Sequence, residues 1–297
     1  MLTHLWPEPI RPERVVVMGA GGFVGRAIAS RLARDGVAVL ELSRRHVDLV
    51  DPGAAERLGS LLRPGDVFVA VSALVPCKTV EMLRDNIVMA LAMAKAASSV
   101  ALAQMLNVSS DAVYADGPTP LTEQSATAPD SLHGVMHLAR EAMFRSEIKV
   151  PIAILRPTLI YGGGDPHNGY GPNRFRRLAA KGEPITLFGK GEERRDHILV
   201  DDVAELAARI IYRCSHGVLN AATGVVTSFR DIATMISALS GRPVVLHEAP
   251  RIGPVPHGGY RPFDITACRA AFPDFAFTPL AQGLAKVQQE ANASASI

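Results

Sequence analysis

The sequence predicts an α/β fold, an open and doubly wound parallel sheet with a smaller, discontinuous C-terminal lobe. Apolar strand-like runs alternate with helical patterns through the first half of the chain, and such alternation is typical of a parallel sheet covered on both faces. A glycine-rich turn, VVVMGAGGFVG at 15–25, joins the first long strand to the first helix. From Tyr161 the alternation stops in the glycine- and proline-rich stretch YGGGDPHNGYGPN.

The composition describes a globular chain with a substantial core. Its 297 residues are 48% hydrophobic and 20% charged, and the net charge of +2 gives no support for a nucleic-acid surface. No apolar run approaches the length of a transmembrane helix, and the first 14 residues are expected to be a short proline-rich lead-in without a signal peptide. The scattered Cys77, Cys214 and Cys268 disfavour a disulfide framework and favour a cytoplasmic location.

Periodicity and turn residues set the expected order of elements. Helices are predicted at 23–35, 52–62, 80–103, 132–148 and 200–214, and strands at 15–18, 37–42, 66–72, 105–109, 152–156 and 216–220. The domains predicted from this order are a dinucleotide-binding part, 1–165 plus 198–220, and a substrate lobe, 166–197 plus 221–297.

The glycine turn is the clearest candidate binding motif. Gly19, Gly22 and Gly25 recur at intervals of three between a buried strand and a helix, and position 24 is Val24 rather than glycine. Glycines let the backbone approach a ligand, while the N–H groups of a helix N-terminus attract a pyrophosphate. We therefore expect Phe23 and Val24 to lie with the three glycines at a dinucleotide, the alternative being an ordinary strand-to-helix turn.

Five segments in this order resemble the extended short-chain dehydrogenase/reductase family, in particular its nucleotide-sugar epimerases, dehydratases and reductases. They are GAGGFVG, NVSSDAVY, ILRPTLIYGGGD, LFGKGEERRDHILVDDVAE and GVLNAATG. The resemblance implies a Rossmann-like fold and a nucleotide-sugar substrate. It also implies that Arg195 reaches the diphosphate, unless it forms only a surface Arg–Asp pair, and that Asn173 and Arg261 close over the nucleotide.

The end of the second strand bears on the choice of cofactor. NAD enzymes usually place a carboxylate there, whereas this chain has Ser43, Arg44 and Arg45. A hydroxyl and two guanidinium groups attract a 2′-phosphate, so NADP(H) is favoured over NAD(H), unless the arginines are merely solvated. The resemblance implies further cofactor contacts at Asp48, Leu49, Ser72, Ala73, His137 and Pro157.

The catalytic segment departs from the family pattern. The family uses Ser or Thr with Tyr-x-x-x-Lys on a helix. Here Ser110 matches the serine, but the helix reads SLHGVMHLARE, with His133 in the tyrosine position and His137 in the lysine position. We expect both histidines beside an apolar stripe formed by Leu132, Val135, Met136, Ala139 and Met143.

Several interpretations of this segment stay open. His133 could be the general acid/base, since imidazole has a pKa of about 6.5, with His137 donating to the ribose. Asp111 could instead carry the proton, because it adjoins Ser110 and is expected to face the same cleft; its segment resembles that of a family reductase. A zinc site would need a third ligand that the sequence does not show, so no metal is expected. Loss of redox chemistry would leave a dinucleotide sensor.

The predicted function is therefore that of an atypical NAD(P)-dependent enzyme reducing a keto-sugar, or epimerising C4, on a nucleotide-activated sugar. A reductase of a non-nucleotide metabolite is the other enzymatic alternative, because Leu159 replaces a usual substrate contact. Asn86 is expected either at the substrate side, bracing the active-site strand, or at a helix N-cap. The resemblance also implies a homodimer formed through the helices at 80–103 and 132–148, and no nucleic-acid or membrane partner.

Overall fold

The computed structural model describes residues 1–117 and 120–295. Their strands run as β1 Thr3–His4, β2 Arg14–Met18, β3 Ala38–Leu42, β4 Val67–Ala70, β5 Gln104–Val108, β6 Ile152–Pro157, β7 Leu159–Tyr161, β8 Ile185–Phe188, β9 Arg194–Leu199, β10 Ser215–Ala221, β11 Val226–Ser228, β12 Leu246–Ala249 and β13 Tyr260–Arg261. The α-helices are α1 Phe23–Arg34, α2 Ala54–Gly59, α3 Val80–Ser98, α4 Leu132–Glu147, α5 Pro172–Lys181, α6 Val200–Tyr212, α7 Phe229–Leu239, α8 Thr266–Ala271 and α9 Leu280–Ala295.

The large sheet confirms the predicted doubly wound α/β fold. Its order is β1-β10-β6-β5-β4-β2-β3, and every pair is parallel except β1 with β10. From β2 the chain crosses first to β3 on one side and then to β4 on the other. The strand order therefore reverses between β2 and β4, the place where open α/β sheets bind ligands at the carboxyl ends of their strands.

Two apolar cores cover the two faces of this sheet. Helices α1 and α6 pack against each other on one face, where Ile28, Leu32 and Val203 are fully buried. On the other face α3 packs between α2 and α4, with Met93 and Phe144 fully buried. Because both faces are covered, the central strands can be almost wholly apolar, as β4 is and as β2 is after Arg14.

The smaller lobe has its own sheet around β9. That strand pairs parallel with β7 and β13 and antiparallel with β11, while β12 and β8 form a separate parallel pair. Phe175 on α5 and Phe229 on α7 lie in its core. Since β7 pairs with β9 rather than with the large sheet, the change of sheet comes at Thr158, shortly before the predicted boundary at residue 165.

Two element predictions are wrong for tertiary reasons. The N-terminal segment is more than a lead-in, because Thr3–His4 adds an antiparallel edge strand to β10, with the His4 ring bonded to Ser215 Oγ at 2.7 Å. Helix α3 ends at Ser98, before the predicted 103, because the backbone N–H of Ala103 donates to the Asp66 carbonyl at the start of the next strand pair.

Three cysteines are free, and within the described ranges no helix combines the length and hydrophobicity needed to cross a bilayer.

Candidate active site

The glycine loop has the shape of a pyrophosphate cradle. Gly19 has φ +109°, and a Cβ placed on it would lie 2.7 Å from the Ser72 backbone nitrogen. A Cβ on Gly25 would lie only 2.1 Å from the Gly19 carbonyl oxygen, so the helix can approach the loop only without a side chain there. Gly22 is the N-cap of α1 and has no side chain that could cap the first N–H groups of that helix. The loop therefore fits a dinucleotide phosphate.

The first residues of α1 connect this loop to the smaller lobe. Phe23 begins the helix and its ring lies against Gly162, where a Cβ would come within 2.9 Å of the ring. Val24, the next residue, is partly buried against the core of that face. These two positions directly follow Gly22 at the start of α1, and their contact with a dinucleotide stays a prediction.

The arginines after β3 are engaged with their own segment. Arg44 Nε donates to Asp48 Oδ2 at 2.8 Å although the Arg44 side chain is 77% exposed, and this hydrogen bond lowers the pKa of Asp48. Ser43 contacts the His46 ring through both its N–H and its hydroxyl. Arg45 is exposed and Leu49 is buried. The segment thus presents two cations at the surface, one of them shared with a carboxylate.

Ser110 and Asp111 follow β5 at the carboxyl end of the sheet. Ser110 Oγ accepts from the Ala112 backbone N–H at 3.1 Å and so caps the 3₁₀ turn Asp111–Val113. Its hydroxyl is 3.4 Å from Asp111 Oδ1, and the other Asp111 oxygen is 3.3 Å from Arg261 Nε. Asp111 therefore sits between the serine and a buried cation.

The two histidines lie together on α4, as expected from their spacing. Their ring centroids are 4.8 Å apart and nearly perpendicular. His133 Nδ1 accepts a 3.4 Å hydrogen bond from the Cys77 backbone N–H, which assigns the proton of the neutral ring to Nε2. His137 is buried, and its Nδ1 has no hydrogen-bond partner within the described residues.

Both imidazoles favour the neutral form. Burial lowers the pKa of His133, partly opposed by the Asp111 carboxylate and assisted by the charge of His167. Burial also places the pKa of His137 well below its usual value, with further repulsion from His133 and Arg140. Our expectation of an imidazole titrating near its ordinary pKa therefore needs correction, because His133 is less solvated than an exposed histidine.

The predicted apolar stripe of α4 is wrong in detail. Val135 is exposed, whereas the buried face carries Met136, His137, Arg140, Glu141 and Phe144. Arg140 and Glu141 can be buried because they hydrogen-bond to residues on or just after neighbouring strands. Local hydrophobicity could not show those partners.

A glycine that the sequence analysis did not single out sets how closely α4 approaches Ser110. A Cβ on Gly134 would lie 2.1 Å from the Ala112 carbonyl oxygen and 2.5 Å from Pro129 Cβ. This contact holds the start of α4 directly against the turn after Ser110. The sequence could indicate this contact only through a glycine in the first turn of α4. That signal is weak, because many residue types are tolerated in a first helical turn.

A buried polar network lies behind Ser110 and was also missed. Glu141 accepts from Ser109 Oγ at 2.6 Å and from Arg156 Nη2 at 2.6 Å. Arg156 also donates to the Tyr114 hydroxyl at 2.9 Å, and that hydroxyl donates to Asn220. Because each charge is paired, the network fixes β5, β6 and α4 relative to one another.

Arg195 and Arg261 differ in their availability. The Arg195 side chain is 12% exposed, and its Nη1 is 3.7 Å from Glu193 Oε1 and makes no hydrogen bond to the described residues. Arg261 donates instead to Asp116 Oδ1 at 2.8 Å and to the Asp111 carbonyl at 2.9 Å. Arg261 thus has internal partners and its contact with the nucleotide stays a prediction, whereas Arg195 Nη1 retains donor capacity among the described residues.

The two predicted asparagine contacts are occupied within the protein. Asn173 accepts from the Gly162 N–H and donates to Asp165 Oδ2 at 2.6 Å, which closes the loop after β7. Asn86 accepts from the Leu74 N–H at 2.8 Å and donates to its carbonyl, so it braces the segment after β4 and is not an N-cap. Thr79 is the N-cap of α3.

The remaining predicted cofactor positions line the carboxyl edge of the sheet. Ser72 follows β4 and donates its N–H to the Met18 carbonyl, and Ala73 comes next in the chain. Pro157 ends β6 opposite Ala221. Among the described residues, no group of three side chains suited to a metal ion is present.

Comparison with known proteins decides the family. Residues 15–222 match the NAD-dependent epimerase/dehydratase family. The chain belongs to this family. The match spans the glycine loop, the Ser110 turn and the two histidines. It therefore includes the segment in which the tyrosine and lysine are replaced.

Individual members of the family resemble the chain over most of its length. A UDP-glucose 4-epimerase of Mycolicibacterium smegmatis is 28% identical, over 92% of this chain and 96% of that protein. A dTDP-4-dehydrorhamnose reductase of Mycobacterium tuberculosis is 30% identical, over 84% of each. A solved UDP-glucuronic acid 4-epimerase from Bacillus cereus, in complex with UDP-glucuronic acid and NAD, superimposes with a TM-score of 0.80 at 20% identity, covering 95% of this chain and 99% of that one. The last likeness concerns the fold.

Proposed function

We propose that this protein is an NAD(P)-dependent enzyme that reduces a keto-sugar, or epimerises C4, on a nucleotide-activated sugar, with His133 as its acid/base. The observation that carries the proposal is the grouping of Ser110, Asp111 and His133 near Arg195, whose Nη1 has no hydrogen-bond partner among the described residues. Relatives named as a UDP-glucose epimerase and a dTDP-sugar reductase support the substrate class.

Arg195 is the proposed contact to the diphosphate. Its guanidinium is largely buried, which lowers its pKa, and the carboxylates of Asp111 and Glu193 oppose that shift. Buried donors without a partner are costly, and a phosphate oxygen would satisfy Nη1. Arg261 holds the Asp111 turn in place from the other side.

The glycine loop would hold the dinucleotide, with Gly19, Gly22 and Gly25 at its phosphates and Ser72 beside it. When bound, this cofactor supplies the hydride exchange. We favour NADP(H) because Ser43, Arg44 and Arg45 occupy the positions after β3 where NAD enzymes usually have a carboxylate. A carboxylate would repel a 2′-phosphate, whereas a hydroxyl and two guanidinium groups attract it. Asp48 reduces the expected preference for NADP(H), because its carboxylate pairs with Arg44.

The protein's own residues would handle the proton. In the resting ring the Cys77 N–H holds Nδ1 of His133 as an acceptor and the hydrogen lies on Nε2. To take the proton of a sugar hydroxyl at Nε2, the ring would give up this 3.4 Å contact and carry its own hydrogen on Nδ1. Ser110 would orient that hydroxyl. His137 would donate to the ribose as a neutral ring, which gives a weaker contact than a lysine ammonium.

We also propose that the protein is a homodimer through α3 and α4. These helices pack side by side, and Val88, Leu91 and Val135 on them are large apolar side chains with 39–43% exposure. Apolar side chains grouped on two adjacent helices are suited to burial against a second copy.

The test uses the full chain with NAD(H), NADP(H) and a panel of UDP-, dTDP- and GDP-sugars, and follows hydride transfer and ligand affinity. We expect Arg195→Ala to weaken nucleotide-sugar affinity at least about tenfold, since a charge-assisted contact contributes about 1.5–3 kcal/mol. Arg194→Ala, next to it and exposed, is the matched control and should bind as the parent does. Equal affinity for Arg195→Ala and parent would refute the phosphate assignment. Dinucleotide binding without turnover on any sugar would favour a sensor instead.

A further inference from the structure

We propose that Arg140 is a positioning residue of this site. It is a buried cation that ties α4, the helix of the two histidines, to the end of β4 beside the glycine loop. It also supplies the positive charge on the face of α4 that carries His137. The link between Arg140 and catalysis rests on the proposed function, in which α4 carries the proton-transfer group. Its structural basis is independent of the substrate.

Arg140 is buried to 2% exposure, yet its hydrogen-bond partners are neutral carbonyls. Nη2 donates to the Ala70 oxygen at 2.6 Å and Nη1 to the Ser72 oxygen at 2.8 Å. Nε has no hydrogen-bond partner in the described part of the chain. Glu141, the acid whose charge acts on Arg140, already accepts from Arg156 and Ser109.

Such an environment is costly for a charge. Burial lowers the pKa of Arg140 to about 10, with Glu141 opposing the shift, so the group remains a cation at neutral pH. A neutral amide could make the same contact to a carbonyl without the desolvation penalty. Bracing alone therefore does not account for a guanidinium at this position.

The position of the charge relates it to both halves of the site. Ser72, whose carbonyl Arg140 holds, donates its N–H to Met18 and lies against Gly19 of the cradle. On α4, Arg140 follows His137 by three residues and therefore lies on the same side of the helix. The guanidinium thus joins the cofactor strand end to the helix that carries the proton-transfer group.

Neither histidine can supply that charge itself. The groups acting on His137 are His133 and Arg140 from its own helix, and those acting on His133 are Asp111 from the turn after β5 and His167 from the loop after β7. Burial keeps both rings neutral, and Arg140 adds to this at His137. The buried cation on this face of α4 is consequently Arg140, which lies about one helical turn after His137.

The experiment compares the parent with Arg140→Met, Arg140→Lys and the control Arg145→Met. Arg145 lies on the same helix but is 47% exposed and 3.4 Å from Glu141. Histidine titrations are followed by NMR in the full chain without cofactor, and NADPH affinity by fluorescence. Both readouts are independent of turnover.

We expect Arg140→Met to raise the titration midpoint of His137 by about one pH unit, since removal of a nearby cation favours protonation. NADPH affinity should fall at least about tenfold. Arg140→Lys should keep the His137 midpoint near the parent value, and Arg145→Met should change neither quantity. If the methionine variant does not fold, Arg140→Gln keeps one carbonyl contact and should give the same two changes.

An unchanged His137 midpoint together with unchanged NADPH affinity in the neutral variant would overturn the proposal and leave Arg140 as packing. If no nucleotide sugar turns over but both changes occur, the proposed reaction fails while the role of Arg140 stands. Loss of turnover in Arg140→Met without either change would also overturn it.

Discussion

At the scale of single residues, the proposed site has two neutral imidazoles, His133 and His137, at the positions where the family pattern has a phenol and an ammonium. A tyrosine needs a neighbouring cation to titrate near neutrality, whereas an imidazole does not. Burial then moves His133 in the opposite direction, to a pKa below its ordinary value. The replacement therefore favours a neutral ring at neutral pH, which can accept a proton at Nε2 once its own hydrogen lies on Nδ1.

The pH dependence of sugar oxidation should follow His133. The neutral ring accepts the proton, and its lowered pKa keeps that form dominant above about pH 6.5. We expect a rate that is flat above that pH and falls on acidification. His133→Phe should lower kcat about 100-fold and abolish the acid limb, and His216→Phe, an exposed histidine, is the control.

The same profile distinguishes His133 from Asp111. If His133 is the base, Asp111→Asn removes the carboxylate that raises the His133 pKa, so the limb shifts to lower pH while activity persists. A nearly normal rate in His133→Phe with loss of activity in Asp111→Asn would instead identify Asp111 as the proton carrier.

Cofactor preference should depend on Arg44. Titration of the parent with NADPH and NADH is expected to show tighter NADPH binding, and Arg44→Ala should erase the difference, about tenfold or more. Asp48→Asn should strengthen NADPH binding, because it releases Arg44 from its 2.8 Å hydrogen bond. Arg57→Ala, an exposed arginine paired with Asp51, is the control. Equal binding of the two cofactors by the parent would contradict the assignment.

At the scale of elements, the site depends on how closely α4 approaches the turn after β5. Gly134 permits this approach, and the Glu141–Arg156 pair holds the helix against β6. Both features come from contacts between elements distant in sequence. Small displacements of reacting groups can cost about 100-fold in rate.

We therefore expect Gly134→Ala to lower kcat about 10- to 100-fold while the dissociation constant of NADPH changes little, because the glycine loop is untouched. The new Cβ would meet the Ala112 carbonyl at 2.1 Å and push the helix start away from Ser110. Val135→Ala, one residue along and exposed, should retain parental kcat. Parental turnover in Gly134→Ala would show that this contact does not set the geometry.

At the scale of the whole molecule, the outer surface of α3 and α4 is the proposed contact with a second copy. Leu91 is 43% exposed on α3, beside Val88 on the same face. A charge at such a position would be buried without a partner in a dimer and solvated in a monomer.

Leu91→Glu is expected to convert a dimer to a monomer, as measured by analytical ultracentrifugation. Leu239→Glu on α7, where the leucine is also exposed, should leave the association state unchanged. A monomeric parent at micromolar concentration would contradict the proposed assembly. Unfolding of Leu91→Glu can be recognised by circular dichroism.

The sequence by itself determined the parallel sheet, the glycine loop and the pairing of the histidines on one helix. These depend on local signals, namely alternating apolar runs, the spacing of Gly19 to Gly25, and an i,i+4 interval. Element ends departed from prediction where another segment supplied hydrogen bonds, as Asp66 does at Ala103 and β10 does at Thr3.

Only the tertiary structure decided which polar and charged side chains have hydrogen-bond partners inside the protein and which retain donors. Arg261 and Asn173, predicted as substrate contacts, have hydrogen-bond partners inside the protein that the sequence did not indicate, Asp116 and Asp165. Arg195 keeps an unsatisfied donor, and Arg140 is buried against carbonyls that no helical pattern reveals. Burial and hydrogen-bond partnership depend on the three-dimensional neighbours of a side chain, and these set the pKa of each histidine.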